Sequence, residues 1–285
     1  MRIGMCRGYS PETLRFAKEH GFGSLAIGQG PHFDLDRILK DPKEVDRIRR
    51  ECETYDIQIS CICAYPNHLT PDLNERKRYF DQFSKMIDVA ALLEINLVAS
   101  FAGRVPDKGI AENIPVFKEV WSYHADHAEK KGVRIAFENC TMFDEYPFHG
   151  INLAYCPEAW DAMFEAVPSK MLGLQFDPSH LIWMMVDYVW AVHHYANRIF
   201  HVHAKDTEVN WDTLRKRGFY SRGHGWWRHR IPGFGDVDWK AFISALYDIG
   251  YQGNLDIEHE DEVFSGDRTD EGFILGLKHL SQFVV

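Results

Sequence analysis

Four β-rich stretches of this chain finish on a residue that can bind a hard or borderline metal ion. Glu138 follows RIAF, Asp177 follows LGLQF, His203 follows IFHV and Glu258 follows LDI. Carboxylates bring negative charge and hard oxygen, and imidazole brings borderline nitrogen. The mixture suits Mn2+, Mg2+, Co2+ or Zn2+ and disfavours Cu+. Singly, such residues more often cap helices or sit solvated at a strand end. Four of them at the same place on successive strands become a metal centre in any fold that gathers strand ends on one rim.

The rest of the chain points to such a fold. Short apolar, β-rich runs alternate with amphipathic stretches, the mark of a parallel sheet built from βαβ units. There are eight: Arg2–Cys6, Ser24–Ile27, Gln58–Ala64, Leu97–Phe101, Arg134–Phe137, Leu172–Phe176, Ile199–His203 and Asn254–Glu258. Eight predict an α/β fold, a single (β/α)8 barrel with outer helices, whose site-building residues lie at the C-terminal ends of the strands. Helices are expected at Pro11–His20, with Ser10 as cap and Gly21 as stop, at Pro115–Lys131 and at Asp238–Ile249. The segment Thr207–Gly235 reads as a long irregular loop or lid between the last two strands.

No linker or fixed-period repeat divides the chain, so residues 1–285 are read as one domain. At 45% hydrophobic and 14% aromatic residues, its 285 residues can bury one large core. No run approaches the roughly 18 apolar residues of a membrane span, and the start shows no secretory pattern, so a cytoplasmic protein is expected. Cys6, Cys52, Cys61, Cys63, Cys140 and Cys156 lack paired spacing and read as reduced core residues. The net charge of −10 argues against a nucleic-acid partner. The exception is the stretch Arg215–Arg230, where Arg215, Lys216, Arg217, Arg222, Arg228 and Arg230 mingle with Trp226 and Trp227 and leave room for a local anion or sugar site.

The strings FEN (Phe137–Asn139), FDPSH (Phe176–His180), HVHAKD (His201–Asp206), RIPGFGDVDW (Arg230–Trp239) and IEHED (Ile257–Asp261) resemble the xylose isomerase-like barrel superfamily, which includes sugar phosphate isomerases/epimerases, ketose 3-epimerases and endonuclease IV. The resemblance is carried from the fifth strand onward. It implies that Glu138, Asp177, His203 and Glu258 hold one divalent ion, with Mn2+ favoured and Mg2+, Co2+ or Zn2+ compatible. It also implies that His180 and Arg230 contact substrate and that Lys205 faces substrate or a water beside the metal, with an exposed Lys205–Asp206 surface pair as the alternative. The endonuclease relatives carry an Asp-x-His pair just before the Gly-x-Gly turn. Here that place reads Trp227, Arg228, His229, so an abasic-site endonuclease is disfavoured.

Isomerising or epimerising a sugar beside its carbonyl requires removing a proton from carbon while holding enediolate charge, a task for a Lewis-acidic ion. Glu138 and Glu258 are the expected proton-transfer pair, their acidities moved apart by their surroundings. Tyr65 and His68, in AYPNHL after the third strand, are candidate substrate contacts, with ordinary loop packing as the alternative. Asp206 is expected beside Lys205 at the mouth. Trp183, Trp211, Trp226 and Trp227 could wall a sugar ring, though tryptophans in a barrel more often pack between helices; Trp227 is the one favoured. Gly233 and Gly235 should give the turn ahead of Asp238–Ile249 its freedom, and His193 and His194 should lie away from the mouth.

The expected activity is a divalent-metal-dependent sugar isomerase or epimerase. The alternative is a lyase or hydrolase on a 3-keto-glycoside. The partner would be a small-molecule sugar or sugar derivative, with no membrane, and a homo-oligomer, dimer or tetramer, is compatible with this reading.

Overall fold

The computed structural model describes residues 1–145, 149–219 and 225–285, with 143–145 and 149 in backbone only. The strands are β1 (Arg2–Cys6), β2 (Ser24–Gly28), β3 (Gln58–Cys63), β4 (Leu97–Ser100), β5 (Arg134–Glu138), β6 (Phe143–Glu145), β7 (His149–Gly150), β8 (Leu172–Phe176), β9 (Ile199–Ala204), β10 (Asp206–Val209), β11 (Trp227–Arg230) and β12 (Asn254–Ile257). The helices are α1 (Pro11–His20), α2 (Leu35–Lys40), α3 (Pro42–Tyr55), α4 (Leu73–Leu92), α5 (Ile110–Lys131), α6 (Pro157–Ala166), α7 (Pro178–Trp183), α8 (Tyr188–His194), α9 (Trp211–Arg217), α10 (Trp239–Asp248) and α11 (Thr269–Leu280).

Eight of the strands close into a parallel barrel in the order β1-β12-β9-β8-β5-β4-β3-β2, the (β/α)8 architecture expected from the alternation. Each of the eight expected runs became a barrel strand, with ends within one residue of the expected positions. The βα connections are well punctuated. The Ser10 hydroxyl accepts from the Thr13 N–H at the start of α1, Pro11 occupies the first turn, and Gly21 closes the helix at φ 86°.

Two expectations are corrected. Helix α5 begins at Ile110, five residues before Pro115, so the proline lies inside it. Glu112 accepts from the Gly109 N–H at 3.0 Å and the Asn113 amide donates to Gly109 O at 2.9 Å. These bonds hold the start of the helix, so the proline's missing donor is tolerated. The segment Thr207–Gly235 is not irregular: β10 and β11 pair antiparallel from Asp206↔Arg230 to Val209↔Trp227, with α9 in the excursion between them. Arg222 lies outside the described residues.

The main hydrophobic core packs the barrel's outer surface against the helices, with Phe83, Phe117, Trp121, Phe137, Trp160, Phe176 and Phe242 among its buried side chains. A smaller cluster of Ala26, Cys61, Leu97, Ala99 and Ala136 is also buried. All six cysteines are free thiols; Cys61 is fully buried and the other five are partly so. None of the described helices is long and apolar enough to cross a membrane.

Candidate active site

Glu138 ends β5, Asp177 and Glu258 directly follow β8 and β12, and His203 is the penultimate residue of β9. The barrel brings these four together: one ligand atom from each lies within 4.8 Å of every other. His203 Nδ1 is 2.9 Å from Glu138 Oε1 and 3.1 Å from Glu258 Oε2. The backbone beside them is braced by two asparagines. Asn139 binds both the N–H (2.7 Å) and the C=O (2.9 Å) of Asp177, and Asn152 donates to Glu138 O at 2.8 Å and to Cys140 O. Asn139 lies within the FEN string; Asn152, fourteen residues from Glu138, carried no local signal.

Asp177 reconciles the two roles open to a strand-end carboxylate. Its Oδ1 accepts from the Ser179 N–H at 2.9 Å and caps α7. Its Oδ2 is buried and meets only ion-pair contacts, Lys205 Nζ and His180 Nε2 at 3.3 Å each, while His203 Nε2 is buried without a hydrogen-bond partner. Buried polar atoms of this kind are rare unless something is meant to bind them. Three carboxylates and one imidazole gathered this closely fit a divalent ion.

Positive charge is already present. Lys205, 1% exposed, places its Nζ 2.8 Å from Glu258 Oε2, 3.0 Å from Glu260 Oε2 and 3.3 Å from Asp177 Oδ2. The two glutamates differ in acidity. Burial, and then the charge of Glu258, raise the Glu138 carboxyl above its usual range. Burial acts on Glu258 in the same sense, but Lys205 and His203 hold it well below. Burial pushes Asp177 up to about 7. Burial also keeps His180 neutral, and its Nε2 stands 3.3 Å from Asp177 Oδ2.

Beneath the rim runs a buried polar chain. The Tyr65 hydroxyl donates to Gln175 Oε1 at 2.7 Å, and the Gln175 amide donates to His201 Nδ1 at 3.0 Å. That leaves the proton of His201 on Nε2, which donates to Asp256 Oδ2 at 2.7 Å. Ser24 donates to Asp256 Oδ1 at 2.6 Å, and Ser60 also binds this carboxylate. Tyr65 thus stands at the mouth with its ring edge-on to His203, 6.5 Å between centroids. Gln175, His201 and Asp256 were not expected at the site; only the spacing of His201 two residues before His203, on the same face of β9, could have signalled one of them.

Other candidates fall elsewhere. His68 is not at the mouth: it is 1% exposed, bonds Ser100 Oγ at 2.9 Å and packs edge-on to Phe83 and Trp121 of the helical layer. The loop after β3 folds back under α4 and α5, so ordinary packing wins for this residue. Asp206 is also structural. Its carboxylate accepts from the N–H groups of Thr207, Gly233 and Val237 and from Trp239 Nε1, pinning the turn that follows β11. Gly233 takes φ 92° there, while Gly235 is needed for close approach, because a Cβ would strike Asp206 and the Thr207 backbone.

The Arg230 guanidinium is engaged by Asp261 (Nε, 2.8 Å) and Glu208, and Arg228 also pairs with Glu208. Trp183, Trp226 and Trp227 cluster beside the hairpin, whereas Trp211 is half exposed. His193 and His194 end α8 on its exposed side.

A family model described as xylose isomerase-like TIM barrel matches residues 14–282. The chain is 27% identical over 292 residues to the uncharacterized protein YfiH of Bacillus subtilis (strain 168), covering 89% of each. It is 22% identical to an inosose dehydratase of Clostridium perfringens, covering 78% of this chain and 76% of the dehydratase. The fold superimposes on D-psicose 3-epimerase with D-tagatose from Clostridium cellulolyticum H10 with a TM-score of 0.74 at 16% identity, covering 99% of each chain.

Proposed function

This chain belongs to the xylose isomerase-like TIM-barrel family, and on that footing we propose that it is a metal-dependent sugar isomerase or epimerase that works by moving a proton on and off the carbon next to a carbonyl. The observation that carries the proposal is the meeting of Glu138, Asp177, His203 and Glu258 around a volume no wider than 4.8 Å between ligand atoms. These four would hold the ion, and with three oxygen donors to one nitrogen Mn2+ is the proposed occupant. Such an ion supplies Lewis acidity to the carbonyl and neighbouring hydroxyl oxygens of the sugar.

The chain's own groups do the proton work. Glu258, held ionised by Lys205 and His203, is the base on one face. Glu138, whose acidity is weakened by burial, returns a proton from the other. Opposed acidities in neighbouring carboxylates are the usual means of dividing acid and base roles. Tyr65 and His180 border the reacting carbon's site and orient hydroxyl groups, while Lys205 offsets the carboxylate charge. Arg230 is proposed to act through the hairpin it braces.

A second reading is favoured by the dehydratase relatives. Dehydration of a keto-cyclitol, or lyase chemistry on a 3-keto-glycoside, begins with the same proton removal. It then departs: the electron pair left on carbon expels a β-oxygen instead of being reprotonated. Incubating the Mn2+-loaded protein in D2O with ketoses, an inosose and 3-keto-glycosides, read by NMR, separates these. Deuterium in an isomeric sugar supports the first reading, an unsaturated product or a released aglycone the second, and no exchange anywhere rejects both.

A further inference from the structure

Inside the barrel, two thiols stand together that the proton chemistry does not use. Cys61 and Cys63 of β3 are two residues apart and so point to the same face of the strand. Their Sγ atoms are 3.2 Å apart, inside the roughly 3.5–4.0 Å of ordinary non-bonded contact. Two rises of about 3.3 Å along a strand set the Cα atoms about 6.6 Å apart, within the range of about 4.4–6.8 Å that a disulfide spans. The sulfurs can therefore bond without the strand coming apart.

The two thiols differ in reach. Cys63 ends β3 and is partly exposed, whereas Cys61 is fully buried. An oxidant entering from solvent meets Cys63 first, and a second thiol alongside is the arrangement that captures a sulfenic acid before it oxidises further. Cys61 also touches the polar chain beneath the rim. Gln175 Nε2 donates to its sulfur at 3.7 Å, and His201 Nε2 is 3.8 Å away. Gln175 in turn accepts from the Tyr65 hydroxyl at 2.7 Å.

We propose that Cys61 and Cys63 are a redox-active dithiol, a modification site that a hydroperoxide closes to a disulfide. With hydrogen peroxide, the Cys63 sulfur attacks one oxygen and the O–O bond breaks, giving the sulfenic acid and one water. The Cys61 sulfur then bonds to the Cys63 sulfur, and its proton leaves with the sulfenic oxygen as a second water. The dithiol gives up two electrons, which the peroxide takes; a small thiol reverses the change by exchange. Bonding draws the sulfurs to about 2.05 Å. That moves the sulfur on which Gln175 rests, and with it the support of Tyr65, so oxidation slows the reaction at the rim. Only this consequence rests on the function proposed above.

The test treats the folded protein with hydrogen peroxide, quenches it in acid and denaturant, blocks free thiols with iodoacetamide, then reduces it and labels it with N-ethylmaleimide. Mass spectrometry of the peptides should find the maleimide on Cys61 and Cys63 together and iodoacetamide on the other four of the six cysteines. In Cys61→Ser, Cys63 should stay a sulfenic acid that dimedone traps, and in Cys63→Ser the shielded Cys61 should remain a thiol; thermal melts confirm that both variants fold, and the parent protein alone decides the matter if they do not. Cys61 and Cys63 staying reduced in excess peroxide, pairing with other cysteines, or Cys63 passing to the sulfinic acid beside an unreacted Cys61, overturns the site. On a sugar that exchanges deuterium, the oxidised Mn2+-loaded protein should turn over about fivefold more slowly, the worth of one hydrogen bond, and dithiothreitol should restore the rate. An unchanged rate with the disulfide formed overturns the coupling to the rim. If no sugar exchanges, the proposed function fails, and the thiol labelling still decides the modification site by itself.

Discussion

The Lys205 ammonium lies 2.8 Å from the Glu258 carboxylate on a side chain that is buried to 1% exposure. A buried cation among three carboxylates is held by their charge, and they by it. Removing it leaves Asp177 and Glu258 facing each other unneutralised, a change that costs roughly 3 kcal/mol or more for buried pairs. Lys205→Met should therefore melt markedly lower than the parent when a chelator is present, and saturating Mn2+ should recover most of the loss. Equal melting temperatures with chelator would show that the lysine does not neutralise the cluster.

Glu138→Gln and Glu258→Gln should each lower turnover by about 10^2 to 10^4, the span of a general acid or base, while sugar binding by calorimetry stays measurable. Ion content is measured on the same samples, since each residue is also a proposed ligand. Both variants turning over at parental rates would take the pair out of the chemistry.

Metal addition should stabilise the fold, because an ion that binds only the native state adds about 2.7 kcal/mol at a hundredfold excess over its Kd. That corresponds to a rise in Tm of roughly 5 °C. Elemental analysis should find one ion per chain. Three zinc ions per chain would instead revive the endonuclease reading.

Acid stability should depend on His124 of α5. Burial, followed by the charge of His127, lowers its pKa to about 3, against about 6.5 in an unfolded chain. Between those values the unfolded state binds a proton that the native state does not. Stability is therefore full above about pH 6.5 and declines as pH falls towards about 3. His124→Phe, which suits neighbours Phe80 and Phe83, should lose less stability than the parent between pH 7 and pH 4 in urea titrations. An identical loss in both proteins would count against this origin.

Asp206→Ala strips the acceptor shared by three backbone N–H groups and Trp239 Nε1. Orphaning buried donors costs about 1–3 kcal/mol each when water cannot replace the partner, so a loss of at least about 3 kcal/mol is expected in denaturant titrations. Asp206→Asn, which keeps an acceptor oxygen, should lose less.

The sequence by itself determined the barrel and the rim residues. Alternation of apolar runs with capped amphipathic stretches is a local property, and in a parallel barrel every strand's C-terminal end faces the same side. Once the strands were read, Glu138, Asp177, His203 and Glu258 had to lie on one rim. Tertiary structure decided what local spacing cannot carry. Tyr65 meets Gln175 across 110 residues and Lys205 meets Glu260 across 55. The direction in which the loop after β3 folds buried His68 among helices while Tyr65 stayed at the mouth. The pairing of β10 with β11 turned an apparent loop into a wall. In each case the outcome depended on which distant side chains filled the remaining space and satisfied one another's polar groups, and those partners are chosen only when the barrel closes.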